Sequence, residues 1–362
     1  MKLTSRPLDI VIIGPSILAS HANSTAELYR GLINELAQHG HRTVFLEPYH
    51  PATERRRDML RSPYCEVWVY RSTEQLLSEY LPAIQSADAV MLGNGIPDTD
   101  RIAEWIANEA RGITIYYDTN LARTDAHLRA GDTPTDCLSC RTVANFSLFL
   151  STTGGPTLER VARQNHIRRA RPLYESIDPY SYYRTDADKS YDLGFIGNYK
   201  ADRTKLLEQL LLRPAEHTPN RQFALAGGGY PAGTVWPQNL TYLEHLPATN
   251  HVDYYNRQRA TLVVSRSDRR RMGYTPSRRL LEAAACGVPL LSDDWAGLGE
   301  FFEPGREVFT VGSEHDVLDV LYGTEDDLRR RCGAAARARV LAEHTTGHRA
   351  RQLLTYWGEL VD

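Results

Sequence analysis

The chain has 362 residues, 42% of them hydrophobic, and a formal net charge of −3 at pH 7. This length exceeds what one typical core accommodates and suits two domains. The small net charge excludes a global basic field of the kind that attracts nucleic acids or anionic membranes, although local basic loops remain. Five cysteines in so long a chain do not make a disulfide framework, and no apolar run is long enough to span a bilayer. We therefore expect a cytoplasmic protein with reduced thiols.

The N-terminal part of the sequence predicts a doubly wound α/β domain. Residues 9–13 (DIVII) are typical of a buried strand, a capping box at 24–27 opens a helix, and residues 41–47 form the next strand. The turn after the first strand holds only Gly14, whereas a nicotinamide dinucleotide requires three glycines there. Further strands are predicted at 87–92, 112–117 and 146–151, and a helix at 100–110.

A segment rich in Pro, Tyr, Ser and Asp, residues 173–190, is typical of a connection between domains. We expect an N-terminal domain at 1–172, a second α/β domain at 191–345 and a C-terminal helix at 346–362 that packs back on the N-terminal domain. In the second domain, strands are predicted at 191–196, 221–226, 261–265, 288–292 and 307–311, and helices at 202–212 and 326–342, with the terminal helix at 348–360.

One strand, loop, helix and strand unit in the second domain concentrates the features of a ligand site. Thr275 suits a helix N-cap and Pro276 the first helical position, while Gly287 suits the left-handed residue that ends a helix, so a helix is predicted over 276–286. Ligands bind parallel sheets beyond the carboxyl ends of the strands. Here that place is the loop 266–274, ahead of a helix N-terminus that favours a phosphate.

The charged side chains of this unit suit a diphosphate. Arg266 and the arginines at 269–271 would neutralise one without a metal, and Glu282 would accept hydrogen bonds from sugar hydroxyls. From spacing alone, a surface Arg/Glu pair on an ordinary helix is the alternative. Two D-x-D triplets, at 98–100 and 186–188, fall in a loop and in the connection between domains, so no metal site is assigned.

Several segments resemble the CgeB-like (spore-maturation type) glycosyltransferases of the GT-B fold. The longest is GYTPSRRLLEAAACGVPLLSDDWAGLGEFFEPGREV. Others in the same order are NSTAELYRGLINELAQHGHRTVFLE, FLSTTGGPTLER, LYESIDPYSYYR, GFIGNYKADR and RRRCGAAARARVLAEHTTGHRA. The resemblance covers nearly the whole chain. It implies two Rossmann-like doubly wound parallel-sheet domains facing a central cleft, the second binding a nucleotide-diphosphate-sugar donor and the first an acceptor.

Residue by residue, the resemblance implies a donor site on the loops of the second domain and on its G-x-[ST]-P-x-x-R-x-x-E signature. Glu282 stands where a carboxylate usually binds the nucleotide ribose. Gly154 and Gly155 match a glycine pair at the cleft edge of the first domain, the acceptor side, to which Gly14 is also assigned. The donor-binding residues are Gly197, Asn198, Arg203, Gly227, Arg266, Tyr274, Thr275, Pro276, Arg279 and Glu282.

Two departures from the resemblance bear on the chemistry. The wider retaining pattern has two glutamates eight positions apart, but Tyr274 stands where the first belongs. The sugar-side carboxylate is therefore missing or comes from elsewhere, with Asp293 and Asp294 as candidates. Where relatives read YD-x-D-T-P, this chain keeps Asp118 and has Asn120 in place of the second acid.

The predicted function is transfer of a sugar from a nucleotide-diphosphate donor, a UDP-sugar being the first candidate. No cofactor is required, and the acceptor is a glycan, a small molecule, a protein or, less favoured, a nucleic acid. A retaining, metal-independent reaction is expected, because arginines and a helix N-terminus stabilise the leaving diphosphate. An inverting reaction would need a general base, for which Asp118 and His21 are the candidates. The alternatives are a GT-B-fold sugar-nucleotide epimerase and a non-catalytic sugar-nucleotide-binding protein of surface-polysaccharide or spore-coat assembly.

Overall fold

The computed structural model describes residues 6–20, 25–132 and 134–361. It divides the chain into two compact units, each built on a parallel sheet: unit 1 is Met1–Tyr174 with Thr346–Asp362, and unit 2 is Glu175–Thr345. The predicted fold class, two Rossmann-like α/β domains with doubly wound parallel sheets, is confirmed. Residues 175–190 of the segment expected to connect the domains lie in unit 2.

Unit 1 contains a sheet of seven parallel strands among its described residues. The strands are β1 (Asp9–Ile13), β2 (Arg42–Pro48), β3 (Glu66–Tyr70), β4 (Ala89–Gly93), β5 (Ile113–Asp118), β6 (Leu148–Ser151) and β7 (Ala170–Pro172). The helices are α1 (Ala26–Gln38), α2 (Pro51–Glu54), α3 (Thr73–Glu79), α4 (Leu81–Ser86), α5 (Thr99–Glu109), α6 (Leu121–Ala130) and α7 (Gly155–Gln164). The strand order is β3-β2-β1-β4-β5-β6-β7, with every neighbouring pair parallel.

Unit 2 contains six parallel strands among its described residues. The strands are β8 (Tyr191–Ile196), β9 (Phe223–Ala226), β10 (Leu240–Leu243), β11 (Gln258–Val263), β12 (Leu290–Ser292) and β13 (Phe309–Thr310), in the order β10-β9-β8-β11-β12-β13. The helices are α8 (Thr204–Leu207), α9 (Arg213–His217), α10 (His251–Asn256), α11 (Ser267–Met272), α12 (Arg278–Ala285), α13 (Leu298–Phe301), α14 (Glu314–Leu318) and α15 (Asp326–Glu343). Short 3₁₀ turns cover Ala201–Arg203 and Ala248–Asn250, and π turns cover Glu208–Leu212 and Asp319–Gly323.

The last helix, α16 (Thr346–Val361), belongs to the core of unit 1. Its residues Leu353 and Trp357 are buried there together with Leu32 of α1. Gly31 allows the two helices to approach closely, since a Cβ at that position would lie 2.4 Å from the Thr346 Cγ2 atom. The C-terminal helix therefore stabilises unit 1, although the whole of unit 2 separates it from the rest of that unit in sequence.

Three strands that the sequence pattern does not predict are β3, β7 and β10, and all three lie at sheet edges. An edge strand has one neighbour and is partly exposed, so its side chains need not form a continuous apolar run. The interior strands β1 and β8, by contrast, occupy the predicted residues. Among the described helices, none combines the length and apolarity needed to cross a bilayer. The cytoplasmic location stays a prediction.

The predicted N-caps of two helices differ from those in the structure. Helix α12 begins at Arg278, two residues later than predicted, because Ser277 is the N-cap and its Oγ accepts a hydrogen bond from the Leu280 N–H at 3.3 Å. The Thr275 hydroxyl instead donates to the Gly273 carbonyl at 2.9 Å. In α1, Thr25 is the N-cap without a side-chain capping bond, and Ser24 of the predicted capping box lies outside the described residues.

Candidate functional site

The loops after β8 and β9 touch each other at the carboxyl edge of the unit 2 sheet. Gly227 has φ 146°, and a Cβ there would lie 2.2 Å from the Gly197 carbonyl oxygen, so the position requires glycine. The Gly228 N–H donates to Asn198 Oδ1 at 3.0 Å, and the Tyr230 hydroxyl donates to the Gly197 carbonyl at 3.0 Å. The structure thus brings three predicted donor-binding residues, Gly197, Asn198 and Gly227, into one surface made largely of backbone.

Arg203 links the loop after β8 to the end of β11. Its guanidinium donates to the Asn198 carbonyl at 2.6 Å and to the Val264 carbonyl at 3.3 Å, and it lies over the Phe195 ring. Burial lowers the pKa of Arg203. Two carbonyl oxygens orient this guanidinium, and Asp202 is the nearby acidic group. A cation is therefore held beside the glycine surface, which is formed by Gly197, Asn198 and Gly227.

Helix α11 occupies part of the loop that was predicted to be irregular. Asp202 receives hydrogen bonds from the Ser267 N–H at 2.8 Å and the Ser267 hydroxyl at 2.6 Å, which fixes the start of the helix against the loop after β8. Arg266 is paired with Asp268 through Nε at 3.0 Å and through a second, shorter contact. The charge of Arg266 is therefore offset within its own loop.

Tyr274 has φ 47°, a left-handed conformation that an aromatic residue rarely adopts. Its N–H donates to the Ala296 carbonyl at 2.6 Å, and its ring occupies the space that a side chain at Gly297 would need. The loop before α12 is thus held against the loop after β12. Backbone strain of this kind costs about 1–3 kcal/mol and persists where surrounding contacts impose it, often at ligand sites.

Glu282 is 1% exposed and is surrounded by hydrogen-bond donors. Its Oε1 accepts from Arg278 Nε at 2.9 Å and from the Tyr182 hydroxyl at 3.1 Å. Its Oε2 accepts from Arg279 at 2.6 Å and from the Tyr255 hydroxyl at 3.1 Å. Burial by itself would raise the pKa of Glu282, but the nearby cationic groups outweigh it and hold this pKa well below its ordinary value. The carboxylate is therefore ionised and already bonded on both oxygens.

The partners of Glu282 include residues that sequence reasoning missed. Tyr182, His251 and Tyr255 carry no motif, and His251 Nδ1 lies 2.9 Å from an Arg279 nitrogen. Tyr182 belongs to the LYESIDPYSYYR segment, which was the one available signal. Ribose binding by Glu282 stays a prediction. It would require the carboxylate to replace one of its four hydrogen bonds, from Arg278, Arg279, Tyr182 or Tyr255, with one from a hydroxyl of the nucleotide.

Asp293 follows β12 and is 3% exposed. Its Oδ1 accepts from the Ser265 N–H at 2.8 Å, whereas its Oδ2 has no hydrogen-bond partner among the described residues. Burial raises the pKa of this carboxyl. Asp294, the other candidate for a sugar-side carboxylate, is exposed. Of these two candidates, Asp293 is the one that combines burial at a strand end with an oxygen lacking a hydrogen-bond partner among the described residues.

Asp118 ends β5 in unit 1 and is fully buried. Its Oδ1 accepts from the Asn120 N–H at 2.7 Å, and its Oδ2 has no hydrogen-bond partner among the described residues. Burial raises the pKa of Asp118 to about 6, against the opposing effects of Thr124 and Asn120. A carboxylate with this pKa is suited to accept a proton near neutral pH.

The other acceptor-side residues lie at the same edge of the unit 1 sheet. Gly14 follows β1, and its N–H donates to the Leu46 carbonyl at 3.1 Å. Gly154 and Gly155 follow β6, the neighbour of β5, and begin α7. A Cβ at Gly154 would lie 1.9 Å from the Tyr174 hydroxyl, so a larger residue there would have to displace the Tyr174 side chain. His21, the second candidate base, lies outside the described residues.

No three His, Cys, Asp or Glu side chains in the described part of the chain are grouped so that they could hold a metal ion. The expectation of a metal-independent reaction stays a prediction, because the donor diphosphate would itself contribute ligands to any metal.

The chain is similar to known proteins in part of its sequence and in its fold. Residues 203–355 match the family model described as glycosyl transferase-like. No curated protein sequence matches the chain. Over its whole length, the fold is similar to sucrose-phosphate synthase from Thermosynechococcus elongatus, with a TM-score of 0.71, 15% identity and coverage of 98% of this chain and 99% of that one.

Two further solved structures share the fold at low sequence identity. Anabaena HepE in complex with UDP-glucose aligns with a TM-score of 0.69 and 13% identity, covering 97% of this chain and all of that one. The T4 phage BGT in complex with its UDP-glucose substrate aligns with a TM-score of 0.62 and 10% identity, covering 98% of this chain and 99% of that one. Together with the sequence match, these structures confirm the GT-B fold and the prediction of a glycosyltransferase-type enzyme. The CgeB-like type stays a prediction.

Proposed function

We propose that this chain transfers a sugar from a UDP-sugar to an acceptor, with the donor bound at the carboxyl edge of the unit 2 sheet and the acceptor bound by unit 1. The observation that carries the proposal is the joining of the loops after β8, β9 and β11 around Gly197, Gly227 and Arg203. The UDP-glucose complexes of HepE and the T4 phage BGT support the choice of donor.

The diphosphate of the donor would lie against the glycine surface. Backbone N–H groups approach a phosphate closely where no side chain intervenes. Arg203 would contribute its charge, and Arg269 of α11 is a second candidate cation in the loop after β11. Arg266 and Arg279 are engaged with Asp268 and Glu282, so we assign them to shaping the site.

For the transferred sugar, Asp293 would replace the glutamate that is missing at Tyr274. Its Oδ2, which has no hydrogen-bond partner among the described residues, would accept a hydrogen bond from a sugar hydroxyl. As the bond to the diphosphate breaks, negative charge grows on the leaving phosphate and positive charge on the anomeric carbon. Arg203 and the positive end of α12 would stabilise the first change.

The acceptor proton has two routes that correspond to the two stereochemical outcomes. In a retaining reaction, a phosphate oxygen of the donor takes the proton. We favour this route because the cations that would stabilise the leaving diphosphate lie in unit 2. In an inverting reaction, Asp118 would take it, since its pKa of about 6 suits a general base. The configuration of the product, determined by NMR, decides between these routes.

The proposal is tested by thermal unfolding of the protein with a panel of nucleotides and nucleotide sugars. A ligand at a hundredfold excess over its dissociation constant stabilises the folded state by about 2.7 kcal/mol. We expect stabilisation by UDP and by one UDP-sugar, and release of UDP from that sugar. Cooperative unfolding that no nucleotide shifts would contradict the donor site. Tight binding without transfer or hydrolysis would favour the non-catalytic alternative, and epimerised donor without acceptor would favour an epimerase.

A further inference from the structure

Unit 2 contains a cavity at the opposite edge of its sheet from the candidate donor site. The cavity has a volume of about 370 Å³. Its walls come from the segment before β8, the starts of β11 and β12, and the first turn of α15. Since donor ligands of such sheets bind at the carboxyl ends of the strands, this cavity at the amino ends has no part in the proposed transfer.

The side chains around this cavity are predominantly basic. Five basic and two acidic residues line it, namely Arg184, Lys189, Arg259, Arg329 and Arg330 with Asp186 and Asp326. One of the five, Arg329, is buried and donates to three main-chain carbonyls and to Asp326. The N-terminal end of the 18-residue helix α15 adds partial positive charge.

Two of the basic groups lack an anionic partner among the described residues. The Arg184 guanidinium makes no ion pair or side-chain hydrogen bond there, and it packs its stem over Gly287. The Lys189 ammonium donates to the Asn256 carbonyl at 2.7 Å, which leaves its charge uncompensated. Burial and the neighbouring Arg184 lower the pKa of Lys189, as expected where cations crowd together without an anion.

We propose that this cavity is a binding site for a small phosphorylated anion, held by Arg184 and Lys189, with Arg330, whose contact with Asp327 is long at 3.5 Å, as the third cation. Its volume falls at the lower end of the range for ligand pockets, which suits a compact molecule such as a pyrophosphate or a nucleoside monophosphate. Guanidinium groups recognise phosphoryl oxygens through paired, charge-assisted hydrogen bonds. This site is separate from the candidate donor site. Its test therefore does not depend on whether the proposed transferase activity is correct.

The test uses site-resolved lysine acetylation, read by mass spectrometry, with inorganic pyrophosphate as the probe. Lys189 reports on the cavity, whereas Lys200 and Lys205 follow β8 near the candidate donor site and report on ligand bound there. We expect pyrophosphate to slow acetylation of Lys189 in the full chain. Parallel titrations with phosphate and with uridine monophosphate show whether one phosphoryl group suffices and whether a nucleoside adds affinity.

The variant Arg184→Glu/Arg330→Glu should weaken protection of Lys189 by at least about tenfold, which corresponds to about 1.4 kcal/mol. The matched control is Arg257→Glu/Arg331→Glu, which makes the same change in net charge outside the cavity, at residues paired with Asp253 and Asp327. It should leave the protection intact. If the first variant fails to fold, Arg184→Gln replaces it, since it removes the charge without reversing it. Undiminished acetylation of Lys189 at millimolar concentrations of all three probes, or equal protection in both variants, would overturn the proposal.

Discussion

The Tyr182 hydroxyl donates a hydrogen bond of 3.1 Å to Glu282 Oε1, so a residue that precedes β8 supports the central carboxylate of α12. Tyr255 supports the other oxygen at the same distance. These two bonds and two arginine contacts surround a carboxylate that is 1% exposed. Glu282 therefore organises the structure around the candidate donor site, whether or not it also touches a ligand.

We expect Glu282→Ala to lower the free energy of unfolding by about 3–5 kcal/mol, because removing one partner of a buried ion pair leaves uncompensated charge. Urea denaturation measures the change. The control Glu303→Ala removes an exposed partner of Arg306 and should change stability by about 1 kcal/mol or less. A fully stable Glu282→Ala protein that has lost donor affinity would contradict this expectation and restore ribose binding as the main role of Glu282.

We expect Asp118→Asn to stabilise the protein at pH 8 and to have little effect near pH 4. Burial raises the pKa of Asp118 from its ordinary value of 3.8 to about 6. Ionisation of Asp118 therefore lowers the stability of the folded protein. This loss is absent below pH 3.8, grows between pH 3.8 and about 6, and is complete above about pH 6. The gain at pH 8 is at most about 3 kcal/mol, from 1.36 kcal/mol per pKa unit.

Thermal unfolding of wild type and Asp118→Asn across pH measures this difference. The control is Asp132→Asn, at an exposed carboxylate that contacts His127. A less stable Asp118→Asn protein at pH 8 would show that hydrogen bonds from Thr124 and Asn120 stabilise the ionised carboxylate by more than burial destabilises it. Loss of sugar transfer in the same variant, with donor binding retained, would support the inverting route.

We expect Arg203→Ala to weaken UDP binding by about 10- to 100-fold, the range for loss of a charge-assisted hydrogen bond. Calorimetric titration measures it, with Arg213→Ala as the control, since Arg213 is an exposed arginine in the same helical stretch and pairs with Glu208. Arg203→Lys separates the effect of losing the charge from the effect of losing the hydrogen bonds. Lysine retains the charge but not the paired contacts to Asn198 and Val264. Unchanged UDP affinity in Arg203→Ala would remove this residue from the donor site.

We expect Gly227→Ala to destabilise unit 2 more than Gly233→Ala does. Both glycines have positive φ, but only at Gly227 would the added Cβ lie 2.2 Å from the Gly197 carbonyl oxygen. Nothing lies within 4 Å of a Cβ at Gly233, so that change should cost about 1 kcal/mol of backbone strain. Equal midpoints of chemical unfolding for the two variants would show that the contact between the loops after β8 and β9 does not contribute to the stability of unit 2.

The order of residues by itself predicted the fold class and the interior strands. β1 and β8 are buried on both sheet faces, so burial imposes a continuous apolar run that is visible without any structure. Helical spacing also predicted that Arg278, Arg279 and Glu282 share one face. Those are local consequences of backbone geometry, and they hold wherever the segment folds.

Tertiary structure decided what that shared face does. Tyr182 and two residues of α10, His251 and Tyr255, reach Glu282 from segments far from α12 in sequence, and their contacts turn an ordinary helical Arg/Glu pattern into a buried ionic cluster. Burial also distinguished Asp293 from Asp294, which are neighbours in the sequence. Spacing along the chain carries no information on desolvation or on partners far away in sequence, because both arise only when the sheet brings its loops together.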